Sequence, residues 1–334
     1  MNITYFNRNN KSGYSIAKVF EPIINNINQK NEVNSFFVPY NGTNIVKILK
    51  NIYYVNRRRN KKGINHITGD IHYCILGLIG CKTILTIHDI GFINSPVNKH
   101  NAFSRLQWYL IWLLIPALLA NKINTISLSI YKELLIILPK FLHNKISIIN
   151  NPIDLDKVKF TPKNEINTVP IILHIGTKTN KNLERVIEGI SNIHCILVII
   201  GRLNVNQINL LNSYKIDYIN EWNLSDIQLY NWYIKCDIVS FPSLYEGFGM
   251  PIIEGQAIGR PVVTSNIEPM PHVGGDGAIY VNPFSVDSIK RGFTNILQSK
   301  DLYQSIVLKG IKNVERFSIN NISNQYYHLY NRII

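Results

Sequence analysis

Two glutamates, Glu246 and Glu254, stand one on each side of a glycine-rich turn in the segment DIVSFPSLYEGFGMPIIEGQAIGRPVVTS, which runs from Asp237 to Ser265. A buried strand ends near Ser243, a loop carries Glu246, Gly247, Phe248 and Gly249, and Met250-Pro251 opens a helix. Proline is suited to that first turn, because the N–H it lacks would be unpaired there in any case. Gly247 and Gly249 let the backbone approach a ligand closely, and the N–H groups of a helix start attract an anion such as phosphate. The two carboxylates cannot hold phosphate, but they are good acceptors for sugar and ribose hydroxyls. The competing reading is a strand–loop–helix in which a carboxylate serves only its own helix N-terminus.

The elements that must position these groups are legible as alternating runs. In the first half the candidate strands are Ile3–Phe6, Ser35–Val38, Gly63–Thr68, Thr83–Ile87, Ile123–Ser127 and Lys145–Ile149, with helix-like stretches between most of them. In the second half they are Pro170–Ile175, Cys195–Ile200, Ile216–Ile219, Asp237–Phe241, Pro261–Thr264 and Ala278–Val281. Their near-continuous apolar character is expected of parallel strands covered by helices on both faces. Two doubly wound α/β domains follow, with chemistry expected just beyond the carboxyl ends of strands. The polar stretch IDLDKVKFTPKNEINTV, from Ile153 to Val169, reads as a linker between them.

Glu246 and Glu254, with GFG and a proline between them, resemble the paired-glutamate motif of retaining glycosyltransferases of the GT-B fold, particularly glycosyltransferase family 4 as found in bacterial O-antigen, capsule and other surface polysaccharide assembly. The flanking YIKCDIVSFPS and GRPVVTS match as well. The resemblance implies two Rossmann-like domains facing across a cleft: residues 1–152 binding acceptor, a linker over 153–168, residues 169–315 binding a nucleotide sugar, and a terminal helix within 316–334 crossing back to the first domain. LHIGTKTNKNLERVIEGI resembles the first strand and helix of the nucleotide-binding domain. There Gly176, Lys181 and Asn182 are expected at the donor diphosphate. Many members carry arginine directly after the glycine, where this chain has Thr177; Lys178 and Arg202 are the candidate substitutes. Gly247, Phe248, Gly249 and Met250 complete the expected donor contacts, with Glu254 on the ribose and Glu246 nearer the sugar.

TILTIHDIG, from Thr83 to Gly91, resembles the strand end that carries the family's donor-facing histidine. His88 is thus expected to act in catalysis, with Asp89 beside it orienting it or meeting the acceptor. HITGDIHY places His66, Asp70 and His72 after another strand, a position suited to the acceptor or to a supporting role. Gly13, in the loop after the first strand, matches the family's glycine loop that closes over the donor phosphates. The resemblance implies no cofactor and no catalytic metal.

Composition sets the setting. Residues 1–160 hold 20 Lys+Arg against 7 Asp+Glu, whereas residues 161–334 hold 15 against 14, so almost all of the +14 net charge lies in the first half. The densest cluster is Arg57, Arg58, Arg59, Lys61 and Lys62. Such a domain suits an anionic membrane, and it fits the acceptor linked to polyprenyl diphosphate that the resemblance implies. Nucleic acid is not expected, since no base-reading motif accompanies the charge. Cys74, Cys81, Cys195 and Cys236 form no CxxC pair, and the N-terminus turns polar after Phe6 with no secretory h-region. The apolar run from Trp108 to Ala120 is broken by Pro116 and is shorter than the ~20 residues of a span, so it reads as a buried helix. The expectation is a cytoplasmic transferase peripherally attached to the inner face of the cell membrane. The alternatives are a nucleotide-sugar epimerase of the same fold, or a non-catalytic nucleotide-sugar or nucleic-acid binding module.

Overall fold

A computed structural model describes residues 1–9, 15–42, 44–90, 106–163 and 165–333 of the chain. It divides into two units, Met1–Pro152 with Ile319–Ile334, and Ile153–Ser318. Each is built on a six-stranded sheet in which every pair of neighbouring strands is parallel.

In the first unit the strands β1 (Asn2–Asn7), β2 (Glu32–Phe37), β3 (Ile64–Ile67), β4 (Lys82–Ile87), β5 (Lys122–Thr125) and β6 (Ile146–Ile148) lie in the order β2-β1-β3-β4-β5-β6. Successive side chains of a strand point to opposite faces. Accordingly Ile3 and Tyr5 join a core beneath the helices Ser15–Asn28 and Ile319–Asn331, while Phe6 joins the core on the other face, under the helix Ile45–Arg58 and the 3-10 turn His72–Leu78. The order reverses direction between β1 and β3, and beyond the carboxyl ends of such a pair a doubly wound sheet opens a crevice.

The segment Trp108–Ala120 departs from the single buried helix expected of it. Tyr109–Leu114 is a π-helix that runs into the short α-helix Ile115–Leu119. Pro116 has no N–H to donate and its ring crowds the carbonyl four residues back, which accounts for the widened turn upstream. Trp112, Leu113 and Ala117 are buried, but Leu118 and Leu119 face outward, so the segment is only half covered. No helix among the described residues is long and apolar enough to cross a membrane.

In the second unit β7 (Ile171–Ile175), β8 (Ile196–Ile200), β9 (Asp217–Glu221), β10 (Ile238–Phe241), β11 (Val262–Ser265) and β12 (Ala278–Val281) are ordered β12-β11-β10-β7-β8-β9. Counted from β7, this is the 3-2-1-4-5-6 order of a dinucleotide-binding sheet, with its reversal between β7 and β10. Local sequence sets the helices. Leu183, Val186, Ile187 and Ile190 make the buried stripe of the helix Leu183–Ile190, and Asn204 with Gln207, like Ser225 with Gln228, form capping boxes at two further helix starts. Arg260 of the GRPVVTS motif is buried, and its guanidinium donates to the carbonyls of Cys236, Thr161, Ile258, Gly259 and Ile234. It therefore clamps backbone together and is not available to a ligand. Residues 153–168 form no helix or strand among those described; Ile153 makes an isolated bridge to Ser318.

Candidate functional site

The reversal between β7 and β10 brings together two segments far apart in the chain. β7 ends at Ile175, and Gly176 follows with φ +97°, a conformation that side chains rarely adopt. The Lys181 side chain lies across this glycine: a Cβ there would stand 2.7 Å from Lys181 Cγ. The ammonium reaches the loop after β10, where it lies 2.6 Å from Glu246 Oε1 and 4.6 Å from the centre of the Phe241 ring. Asn180 reinforces the contact, donating to the Tyr245 carbonyl at 3.0 Å and to Glu246 Oε1 at 3.4 Å, while its own carbonyl accepts from Leu244 N at 2.8 Å.

Asn182, expected among the donor contacts, is placed to hold this loop together. Its N–H donates to Thr179 O, and its buried amide donates to the carbonyls of Pro242 and Pro283 at 3.0 and 2.7 Å. The side-chain oxygen accepts from Arg185. Phe248 likewise points inward: it is 3% exposed and packs edge-on against Phe317, so in the glycine loop its ring is a pin and the backbone is the part that could meet a ligand. Gly249, with φ +106°, caps the helix Met250–Ile258. That helix carries Pro251 in its first turn and points its N-terminal N–H groups to the same end of the sheet as Gly176. Arg202 and Lys178 are exposed, and Thr177 donates its hydroxyl to the Arg202 carbonyl at 2.7 Å.

Glu254, half-buried in the second turn of that helix, accepts a 2.6 Å hydrogen bond at Oε2 from the hydroxyl of Tyr233. Burial, and after it the adjoining carboxylate, push the tyrosine's pKa well above its ordinary value, so the hydroxyl stays a donor. Below the ion pair, His174 of β7 is fully buried with Nδ1 3.1 Å from Ser240 Oγ. Burial first, and then the Lys181 charge, lower its pKa to about 3, so it is a neutral support. Reading the sequence missed Asn180, Tyr233 and His174 as site neighbours. Tyr233 had a usable signal, the tyrosine of YIKCD; His174 sits in an apolar run and gave none.

In the first unit His88 follows β4 and is 6% exposed. Its Nε2 lies 2.7 Å from the Thr68 carbonyl at the end of β3, and Thr68 in turn donates to Asn7 Oδ1 at the end of β1. Since a carbonyl only accepts, Nε2 carries the proton, and Nδ1 of the neutral ring is the acceptor. Burial lowers the His88 pKa, opposed by the charge of Asp70 and the Thr68 hydrogen bond. Asp89 is exposed beside it. Asp70 pairs with Arg8 at 3.1 Å. His66 does not stand beyond its strand as expected. It lies within β3, fully buried, with its two nitrogens 2.8 Å from Tyr330 Oη and Thr86 Oγ1. The helix Ile319–Asn331 covers it, which excludes any contact with a ligand. His72 is also buried, against the Trp112 carbonyl. Gly13 lies outside the described residues.

Comparison with known proteins bears on what this geometry serves. Residues 156–313 match the family described as Glycosyl transferases group 1. Among curated proteins, O-antigen chain mannosyltransferase B of Escherichia coli is 36% identical over 90 residues, 27% of this chain; the match takes in 24% of that protein, about a quarter of its length. Among solved structures, sucrose-phosphate synthase from Thermosynechococcus elongatus superposes with a TM-score of 0.78 at 14% identity over 99% of each chain. Anabaena Alr3699/HepE, solved with UDP and glucose, does so with a TM-score of 0.78 at 13% identity over 99% of this chain and 100% of that one. The fold is GT-B, with two Rossmann-like domains.

Proposed function

We propose that this chain is a retaining glycosyltransferase of family 4, moving a hexose from a UDP- or GDP-linked donor to a growing surface glycan carried on polyprenyl diphosphate. The observation that carries the reading is the meeting of Lys181 and Glu246 at the β7/β10 reversal, beside the N-terminus of the helix that bears Glu254. A cation, a row of backbone N–H groups and two spaced carboxylates suit, in turn, a diphosphate, its negative oxygens, and the hydroxyls of a sugar and a ribose. The group 1 match over residues 156–313 and the O-antigen mannosyltransferase relative support a transferase of surface glycans. The structural neighbour solved with UDP and glucose supports a nucleotide-sugar donor.

The chemistry divides among the residues as follows. Lys181, with Lys178 and Arg202 in place of the family's arginine, and the N–H groups at Met250 meet the charge that develops on the departing diphosphate. Glu246 accepts from sugar hydroxyls and Glu254 from the ribose. His88 Nε2–H is engaged by Thr68, which leaves Nδ1 as the ring's acceptor for a hydroxyl of the reacting sugar, with Asp89 beside it. The acceptor hydroxyl attacks from the face the diphosphate leaves, and a leaving-phosphate oxygen takes its proton. No protein nucleophile and no metal enter the scheme. Location at the cytoplasmic face of the cell membrane completes the reading, since the basic first unit then faces anionic lipid and the acceptor's diphosphate.

The test is a panel of UDP- and GDP-hexoses, with mannose and glucose first, assayed for thermal stabilisation and for slow hydrolysis without acceptor. A cognate donor at a hundred times its dissociation constant adds about 2.7 kcal/mol of stability. Failure of every nucleotide sugar to stabilise the protein would overturn the proposal, and an inverted anomer in the product would overturn retention.

A further inference from the structure

The helix Ile45–Arg58 is covered on one side only. Ile48, Asn51 and Val55 are buried, whereas Val46, Leu49 and Tyr53 are 53%, 58% and 66% exposed. These three follow one another at spacings of three and four, so they make one outward stripe, and Lys50 and Arg57 lie along its flank. Ile45 is 63% exposed at the start of the same helix. Such side chains ordinarily belong inside, and a contiguous exposed set marks an interaction surface.

The charge around the stripe has one sign. No acidic residue stands anywhere between Glu32 and Asp70, while Lys47, Lys50, Arg57, Arg58, Arg59, Lys61 and Lys62 all do. Lys50 lies 5.4 Å from the centre of the Tyr40 ring, and Arg58 is stacked 3.8 Å from that of Tyr54. The helix has 14 residues, or about 21 Å, too short to span a bilayer and long enough to lie along one. We infer that this face docks on an anionic lipid surface, with Val46, Leu49 and Tyr53 inserted among the acyl chains and the cations at the headgroups. This deepens the membrane part of the proposed function but rests on no step of the transfer reaction. A nucleic acid would meet the cations equally, yet it offers nothing to Val46 and Leu49, whose burial only an apolar medium rewards.

The surface therefore predicts two separable components of binding. Full-length protein is sedimented with vesicles of phosphatidylcholine, with and without an equal part of phosphatidylglycerol, at low and high salt. Wild type should bind the anionic vesicles at least about tenfold better at low salt, and a residual should survive high salt. Val46→Ser/Leu49→Ser/Tyr53→Ser should remove that residual and weaken low-salt binding by about tenfold. Arg57→Gln/Arg59→Gln/Lys61→Gln/Lys62→Gln should weaken low-salt binding by about tenfold and reduce the salt dependence to what Lys47, Lys50 and Arg58 supply, and an unchanged salt dependence would overturn the inference. Tyr53→Trp supplies a further readout, a blue-shifted emission on anionic vesicles in excess of that of the four tryptophans wild type already has. The inference is overturned if the triple serine variant binds as wild type does, if Tyr53→Trp adds no blue shift to that of wild type, or if the protein ignores vesicles and binds polyuridylate instead. Donor hydrolysis measured without vesicles should be unchanged in every variant, so loss of vesicle binding leaves the transferase reading intact, and loss of hydrolysis leaves this one intact.

Discussion

Lys181 and Glu246 neutralise one another: Nζ and Oε1 are 2.6 Å apart, with 20% and 13% of the side chains exposed. A cation proposed to meet a diphosphate and a carboxylate proposed to meet a sugar are thus each other's partners. A donor must take both from that pair. Glu246→Gln releases the ammonium, so affinity for UDP or GDP without a sugar should rise about fivefold, the worth of a partly exposed ion pair. Turnover should fall by about two orders of magnitude, because a contact to the reacting sugar is lost. Calorimetric titration and steady-state rates check both. Nucleotide affinity falling together with turnover would show that Glu246 does not compete for Lys181.

Tyr233 fixes the orientation of Glu254 through their 2.6 Å hydrogen bond. Tyr233→Phe keeps the ring that fills the core and removes only the donor. KM for the nucleotide sugar should rise about tenfold, the low end of the value of one hydrogen bond to a charged acceptor, with kcat nearly unchanged. Glu254→Gln should shift the same parameter in the same direction. A fall in kcat at constant KM in either variant would place the carboxylate at the chemistry and away from the ribose.

Gly176→Ala tests how tightly the lysine is seated. At φ +97° a side chain is strained, and the added carbon would meet Lys181 Cγ at 2.7 Å. Urea titration should show a loss of about 1–2 kcal/mol. Donor affinity should fall beyond what lost folding explains, since Lys181 must move. Wild-type affinity in a destabilised variant would separate the glycine's role in folding from any role in the site.

His66 makes the first unit sensitive to acid. Burial foremost, and after it the repulsion that protonation of nearby His88 would add, hold its pKa at about 3 in the folded protein, below the ordinary 6.5. The unfolded chain then binds the extra proton between those values. Stability is complete above pH 6.5 and is lost as pH falls, by about 1.4 kcal/mol per unit. His66→Gln should keep much of the hydrogen bonding to Tyr330 and Thr86 without the titration. Melting curves at pH 7 and pH 5 should show the gap between wild type and variant closing in acid. A gap that does not change with pH would mean that the imidazole is not buried neutral.

How much of this was legible in the sequence differs from element to element. The sequence by itself determined the twelve strands found among the described residues, the helix start at Met250 and the spacing of Glu246 from Glu254, because apolar runs, glycine and proline act through neighbours along the chain. It could also name Lys181 and Glu246 by resemblance. Only the tertiary structure decided that they touch, across 65 positions, since β10 lies beside β7 by a choice of sheet order that no local pattern encodes. The same holds for His66, which reads as a site histidine until Tyr330, 264 positions away, arrives with the helix that seals it from water. Asn182 and Phe248 belong to the motifs but face the scaffold, because an amide reaching two proline carbonyls and a ring against Phe317 are more stable there than in solvent. Motif spacing reports which residues stand near a site; burial and long-range pairing decide which of them can meet a ligand.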